Sequence, residues 1–172
     1  MRPRLVLLFF VAASSSVSAV AVAGARGSDP ASPRVAAVFA DRCPIPARYR
    51  PAFRAAAADT GLPLALLAAV AQVESRFDAA ATSAAGARGL LQVMPTTAAE
   101  LELDAGKPSS NVLAGARYLS GLLERFSSSD LALAAYNAGP TAVARAGGAP
   151  NGATLRYVAN VTVLWRRLHG CR

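Results

Sequence analysis

The sequence predicts a small all-α domain, and three observations carry that reading. The chain of 172 residues is 53% hydrophobic but only 6% aromatic, with alanine supplying most of the apolar content. Alanine with Leu and Arg favours helix, whereas strands draw on β-branched and aromatic residues. From Pro46 onward the apolar residues recur at helical spacing, and no segment alternates as a strand does. The length suits one domain, and the composition excludes a fully disordered chain.

Taken in order, the chain opens with Arg2 and Arg4 before the apolar run LVLLFFVAA, and small residues continue through Ala25. That is the pattern of a secretory signal over residues 1–25, with an uncleaved anchor as the alternative. Ser14, Ser15 and Ser16 interrupt the apolar stretch, so no stable membrane span is expected once the signal is removed. A polar, Pro- and Ser-rich linker is placed at residues 26–45, and the folded domain at 46–172.

Within that domain a first helix is expected over 46–59, stopped by Gly61. A second starts near Pro63 and carries Leu66, Val70, Val73 and Phe77 on one face. Residues 78–89 read as a loop, and a short helix follows Pro95. After a loop at 104–110, Asn111 is expected to cap a long helix bearing Leu113, Ala116, Leu119, Leu122, Leu123 and Phe126. Ser129 or Asp130 is expected to cap LALAAYNA, which ends at Gly139. Pro140 opens another short helix closed by Gly147 and Gly148, and Thr154 is expected to cap the last.

Charge narrows the partners. Lys and Arg number 18 against 10 Asp and Glu, a formal net charge of +8. Such an excess attracts anionic polymers: nucleic acid, a membrane surface or an anionic wall. Nucleic acid is disfavoured by the export signal and by the lack of a clustered basic helix, since Arg166 and Arg167 are too few. His169 is the single histidine, which argues against a Ser-His-Asp triad and against a multi-His metal site. Cys43 and Cys171 lie near the two ends of the mature chain. An exported protein can keep a disulfide between them, and two unpaired thiols are the alternative.

Of the four glutamates, Glu100, Glu102 and Glu124 fall in polar surroundings. Glu74 lies four residues after Val70 and three before Phe77, so it projects beside an apolar helix face. Burial and the negative end of the helix dipole both favour its protonated form, which suits a general acid. Pairing with Arg76 or another arginine is the structural alternative. Asp78, next in sequence, reads as a solvated residue past the helix end.

The string from Glu74-Ser75 through a small-residue loop to Gly89-Leu90-Leu91-Gln92-Val93-Met94-Pro95 resembles the soluble lytic murein transglycosylases, kin of the goose-type lysozymes. NVLAGARYLSGLLERF at 111–126, LALAAYNAGPTAV at 131–143 and TLRYVANV at 154–161 resemble further segments of that family, in the same order. The resemblance implies a lysozyme-like helical fold with a glycan groove, acting on the bond between N-acetylmuramic acid and N-acetylglucosamine in peptidoglycan strands. It implies Glu74 as the catalytic carboxyl, with Ser83, Gln92, Met94, Tyr136, Asn137 and Tyr157 as groove residues, the Tyr157 hydroxyl contacting the carboxyl region, and neither metal nor cofactor.

On their own chemistry these positions keep plainer readings. Gln92 can bond backbone instead of an N-acetyl group, Met94 can be core, and Ser83 can be an ordinary loop serine. Tyr136 and Tyr157 can be core tyrosines with satisfied hydroxyls, and Asn137 can finish a helix. Leu91 stands where the family usually has Met, a similar volume. Ala153 and residues 108–110 lack acidic residues that the family often has there. The competing functions are a lysozyme-type hydrolase on the same scaffold and a non-enzymatic wall-binding module.

Overall fold

The computed structural model describes residues 43–172. The signal placed at 1–25 and the linker up to residue 42 lie outside the described residues. Seven α-helices follow a short 3-10 turn at Ala47–Tyr49: α1 Arg50–Thr60, α2 Leu64–Glu74, α3 Pro95–Glu100, α4 Pro108–Phe126, α5 Ser129–Ala138, α6 Pro140–Ala146 and α7 Gly152–Arg167. The described residues form no strand, only isolated bridges between Thr82 and Arg88 and between Arg88 and Val93.

The helix α2 is the structural centre. Ala65 through Ala71 are all buried, so the helix is enclosed on every side and not only along the stripe of Leu66 and Val70. Its alanines have no bulk to hold neighbours off, which lets helices approach it all round. Phe77, expected on the same helical face, lies beyond the helix end. It is 6% exposed and packs its ring 5.9 Å from that of Phe53. The helix α1 packs on α4, α4 on α5, and α7 covers both α2 and α5.

Helix boundaries follow proline and glycine. Pro51, Pro95, Pro108 and Pro140 fall in first turns, where a missing N–H is harmless. Gly61 ends α1 at φ 70° and Gly147 ends α6 at φ 66°. Three expected caps are corrected. The helix α4 starts at Pro108, so Asn111 is inside it and fully buried. Ser128, not Ser129 or Asp130, accepts the Leu131 N–H at the start of α5. Asn151, not Thr154, caps α7 by accepting the Thr154 N–H at 2.9 Å. In the last two cases a polar side chain near the true start takes the same free N–H groups, and spacing alone does not choose between them, whereas α4 starts at Pro108 with no side-chain cap.

Cys43 and Cys171 form a disulfide, with Cα atoms 4.8 Å apart across 128 residues of sequence. Ile45, placed in the linker from sequence, is 1% exposed and belongs to the core. No helix among the described residues is long and apolar enough to cross a membrane.

Candidate active site

The last residue of α2 is Glu74, and the buried helix therefore delivers a carboxyl to the edge of the core. The chain then turns sharply, with Arg76 at φ 53° and Phe77 at φ 62°, both in the left-handed region that L residues avoid. Phe77 anchors this turn in the core. Ser75 ties it across, donating its hydroxyl to the Leu90 carbonyl at 2.8 Å.

The Glu74 carboxylate accepts a hydrogen bond from the Tyr157 hydroxyl of α7 at 2.7 Å. Burial pushes its pKa up to about 7 from an ordinary 4.5, and the Tyr157 bond pulls in the opposite direction. The expected alternative, a pairing with Arg76, is not formed. Among the described residues the ion pairs join Lys107 to Asp104 and Arg117 to Asp59, both remote from Glu74 in sequence. Tyr157 is itself held far above the usual tyrosine range, by burial first and then by the nearby Glu74 charge. It thus remains a hydroxyl donor.

A second group of residues lines a cavity of about 160 Å³: Gln92, Val93, Met94, Thr97, Tyr118, Tyr136, Asn137 and Gly139. Three helices and the loop before α3 meet here. Tyr136 donates its hydroxyl to the Leu91 carbonyl at 2.8 Å, and its ring lies 5.5 Å from that of Tyr118. The Glu74 charge also raises the Tyr136 pKa, after burial, which places this tyrosine within electrostatic reach of the carboxyl. Met94 is 38% exposed, an apolar side chain at the surface of the cavity and not in the core.

Several expected residues have a structural partner as well. Gln92 sits at φ 45°, and its amide nitrogen donates to the Ala81 carbonyl at 3.1 Å and the Gly89 carbonyl at 3.0 Å. Both of its N–H groups therefore hold the loop, and its side-chain oxygen is the atom left for a ligand. Asn137 accepts from the Thr154 hydroxyl at 3.0 Å and so joins α5 to α7. Ser83 is exposed and accepts the Ala87 N–H at 3.0 Å, closing a turn, and it does not itself line the cavity. Asp78 accepts the Ala80 N–H at 2.9 Å and is exposed, in line with its reading as solvated.

Sequence reasoning missed Tyr118, Asn111 and Gly115. Tyr118 carries a polar tip on an otherwise apolar helix face, the signal already used for Tyr136. Gly115 permits a close approach: a Cβ there would stand 2.6–2.8 Å from Leu91 and the Tyr136 hydroxyl. Among the described residues no cluster of three or more His, Cys, Asp or Glu could hold a metal ion.

Residues 51–156 match a family model described as the transglycosylase SLT domain. A membrane-bound lytic murein transglycosylase F of Alkalilimnicola ehrlichii is 41% identical over 108 residues, covering 58% of this chain and 21% of that protein. The transglycosylase of Enterobacteria phage PRD1 is 41% identical over 86 residues, 49% of this chain and 32% of that one. Among solved structures, the 70 kDa soluble lytic transglycosylase of Escherichia coli superimposes with a TM-score of 0.63 at 25% identity, covering 76% of this chain and 25% of that one. An inactive mutant of the lytic transglycosylase Slt of Pseudomonas aeruginosa gives a TM-score of 0.61 at 29% identity, covering 74% of this chain and 25% of that one. The chain thus matches between a fifth and a third of the length of these relatives.

Proposed function

Because the chain belongs to the transglycosylase SLT domain family, we propose that it is a lytic transglycosylase that cuts the β-1,4 bond between N-acetylmuramic acid and N-acetylglucosamine in peptidoglycan. The observation that carries this is one carboxyl, Glu74, raised to about 7 by burial and held by a tyrosine hydroxyl. A group titrating there is protonated often enough to give a proton and ionised often enough to take one back.

Glu74, protonated, donates to the glycosidic oxygen as the bond to C1 of the muramic acid breaks. The substrate's own 2-acetamido group stabilises the positive charge that develops at C1. Glu74, now ionised, takes the proton of the C6 hydroxyl, and that oxygen closes on C1. Two-carboxylate glycosidases need a second acid as nucleophile or base. Here the tethered C6 hydroxyl takes the place of that step, with a high effective concentration. Tyr157 orients the carboxyl and moderates its pKa. Gln92, Met94, Tyr136 and Asn137 form the groove that holds the sugars, with Ser83 at its loop edge, and no cofactor enters the scheme.

Export is the setting this chemistry requires. The signal pattern of residues 1–25 and the Cys43–Cys171 disulfide both support a periplasmic, wall or extracellular location. The net charge of +8 suits an anionic wall polymer.

The decisive experiment is digestion of purified peptidoglycan by the mature protein, with mass analysis of the fragments. The expected ends are 1,6-anhydromuramic acid, about 18 mass units lighter than hydrolysed ends because one water is withheld. Reducing muramic ends in proportion to bonds cut would replace this reading with a hydrolase. Binding without cleavage would replace it with a wall-binding module.

A further inference from the structure

The segment from Arg88 to Val93 carries Gln92 and leads into Met94, yet it is neither helix nor strand. Its shape is defined by one bridge, with the Arg88 and Val93 N–H groups each bonded to the other's carbonyl at 3.0 Å. Gln92 holds a left-handed φ of 45° inside that turn. Left to itself, so short a loop has many conformations of similar energy.

Asn111 removes that freedom. It is fully buried in the second turn of α4, and its carboxamide bonds three backbone groups. Its Nδ2 donates to the Arg88 carbonyl at 2.7 Å and to the Ala105 carbonyl at 3.0 Å, and its Oδ1 accepts the Leu91 N–H at 2.9 Å. Arg88 carries the bridge, and Leu91 carries the carbonyl that receives the Tyr136 hydroxyl. A single side chain therefore fixes the turn at its first residue and at its middle and, through Leu91, the tyrosine beside it. Gly89 fits against the carboxamide closely, since a Cβ there would lie 2.8 Å from its carbon and nitrogen.

We infer that Asn111 is a positioning residue for substrate, holding the 88–93 turn so that Gln92, Met94 and Tyr136 meet at one wall of the groove. This rests on the proposed glycan-cleaving function. Asn111 acts through these groups on binding. It makes no hydrogen bond to Glu74 or Tyr157, and Glu74 is held by its own helix and by Tyr157, so a change at Asn111 reaches the carboxyl only through Leu90 and Ser75 and falls mainly on the binding wall.

The test is Asn111→Asp in the full chain, which keeps the acceptor toward Leu91 and replaces the donor facing two carbonyls. KM and kcat are measured on a soluble peptidoglycan tetrasaccharide at a temperature where the variant is fully folded. Amide hydrogen exchange is read at Leu91 and Val93. The expected result is a KM raised about tenfold, a kcat within about threefold, and exchange at both amides faster by about tenfold. The pH at which kcat falls stays where it is in the unaltered protein. A KM and exchange rate equal to those of the unaltered protein overturn the inference, since Asn111 then only fills space. A kcat that falls with KM unchanged also overturns it.

If Asn111→Asp does not fold, Gly89→Ala applies the same disturbance from the opposite side, and it too should raise KM. An unchanged KM there counts against the inference. Absence of glycan cleavage by the unaltered protein would instead remove the functional reading itself. The exchange rates would still decide whether Asn111 holds the turn.

Discussion

The carboxyl side and the proposed sugar-holding side of this site are built in opposite ways. Glu74 and Tyr157 stand on two helices, one of them enclosed by the core, and meet through a single short hydrogen bond. Gln92 and Met94 stand on irregular backbone that side chains from elsewhere must hold, through Asn111, Ser75, Tyr136 and Gln92 itself. The helical side has few groups and a low local polarity, which is what raises a carboxyl pKa. The loop side has many weak, mutually dependent bonds, which suit a surface that must match a ligand's shape. Substitutions on the helical side should therefore change rate and pH dependence. Those on the loop side should change affinity.

Glu74→Gln should show the largest effect. The amide keeps the shape but moves no proton, so turnover should fall by at least about 10²–10⁴-fold. Fragment analysis of digested peptidoglycan measures this, and a variant keeping a tenth of the activity would remove Glu74 from the mechanism. Stability should move the other way. The folded-state pKa of about 7 exceeds the ordinary 4.5, so the stability linked to this proton is full below 4.5 and lost as pH rises to 7. At about 1.4 kcal/mol per unit the loss reaches about 3 kcal/mol. Glu74→Gln should thus match the unaltered protein near pH 4 and exceed its stability at pH 8, as urea unfolding at the two values can show.

Replacing Cys43 and Cys171 with serine separates stability from the site. The bridge closes a span of 128 residues, and its loss should reduce stability by about 2–5 kcal/mol in the chain-entropy picture. Turnover at a temperature well below unfolding should not change, because neither cysteine approaches the site. Tyr157→Phe follows, with an effect of about tenfold on turnover. Its hydroxyl lowers the Glu74 pKa, so its removal should move the fall in activity to higher pH. A shift to lower pH would show that Tyr157 acts otherwise than through that bond.

The same contrast explains what sequence made legible. Helix positions followed from proline, glycine and apolar spacing, and helical geometry singled out Glu74 beside an apolar face, while the family resemblance supplied its expected role. Its partner was harder. Nothing in periodicity links Tyr157 to Glu74 across 83 residues, and the family resemblance was needed to bring them together. The loop side was least legible. Gln92 read equally well as a sugar contact or as a residue bonding backbone, and its N–H groups hold backbone while its side-chain oxygen does not. Asn111 was expected at a helix start because asparagine favours caps, yet a buried asparagine can equally satisfy distant backbone groups. Which of these happens depends on a loop's path, and local sequence does not encode that path. Sequence also took α2 for a one-faced helix, since small alanines do not announce how closely neighbours will pack.

The smallest expected effect is the one that best divides two reactions. Asp78 is the acidic residue nearest Glu74 in sequence, and a hydrolase of the two-carboxylate kind would need a second carboxylate to direct water. Its position argues against that role. It is exposed, and its Oδ1 is engaged with the Ala80 N–H at 2.9 Å in the turn after Phe77. Asparagine retains an oxygen for this bond while removing the charge, so Asp78→Asn should leave the turn intact and alter stability by no more than about 0.5 kcal/mol. If the C6 hydroxyl closes the ring unaided by a second acid, turnover should stay within about twofold and the ends should remain 1,6-anhydro. A fall of about a hundredfold would assign Asp78 to the reaction. Reducing ends in the unaltered protein's digest would then be the matching observation, and the single-carboxyl account of Glu74 would give way to a paired one.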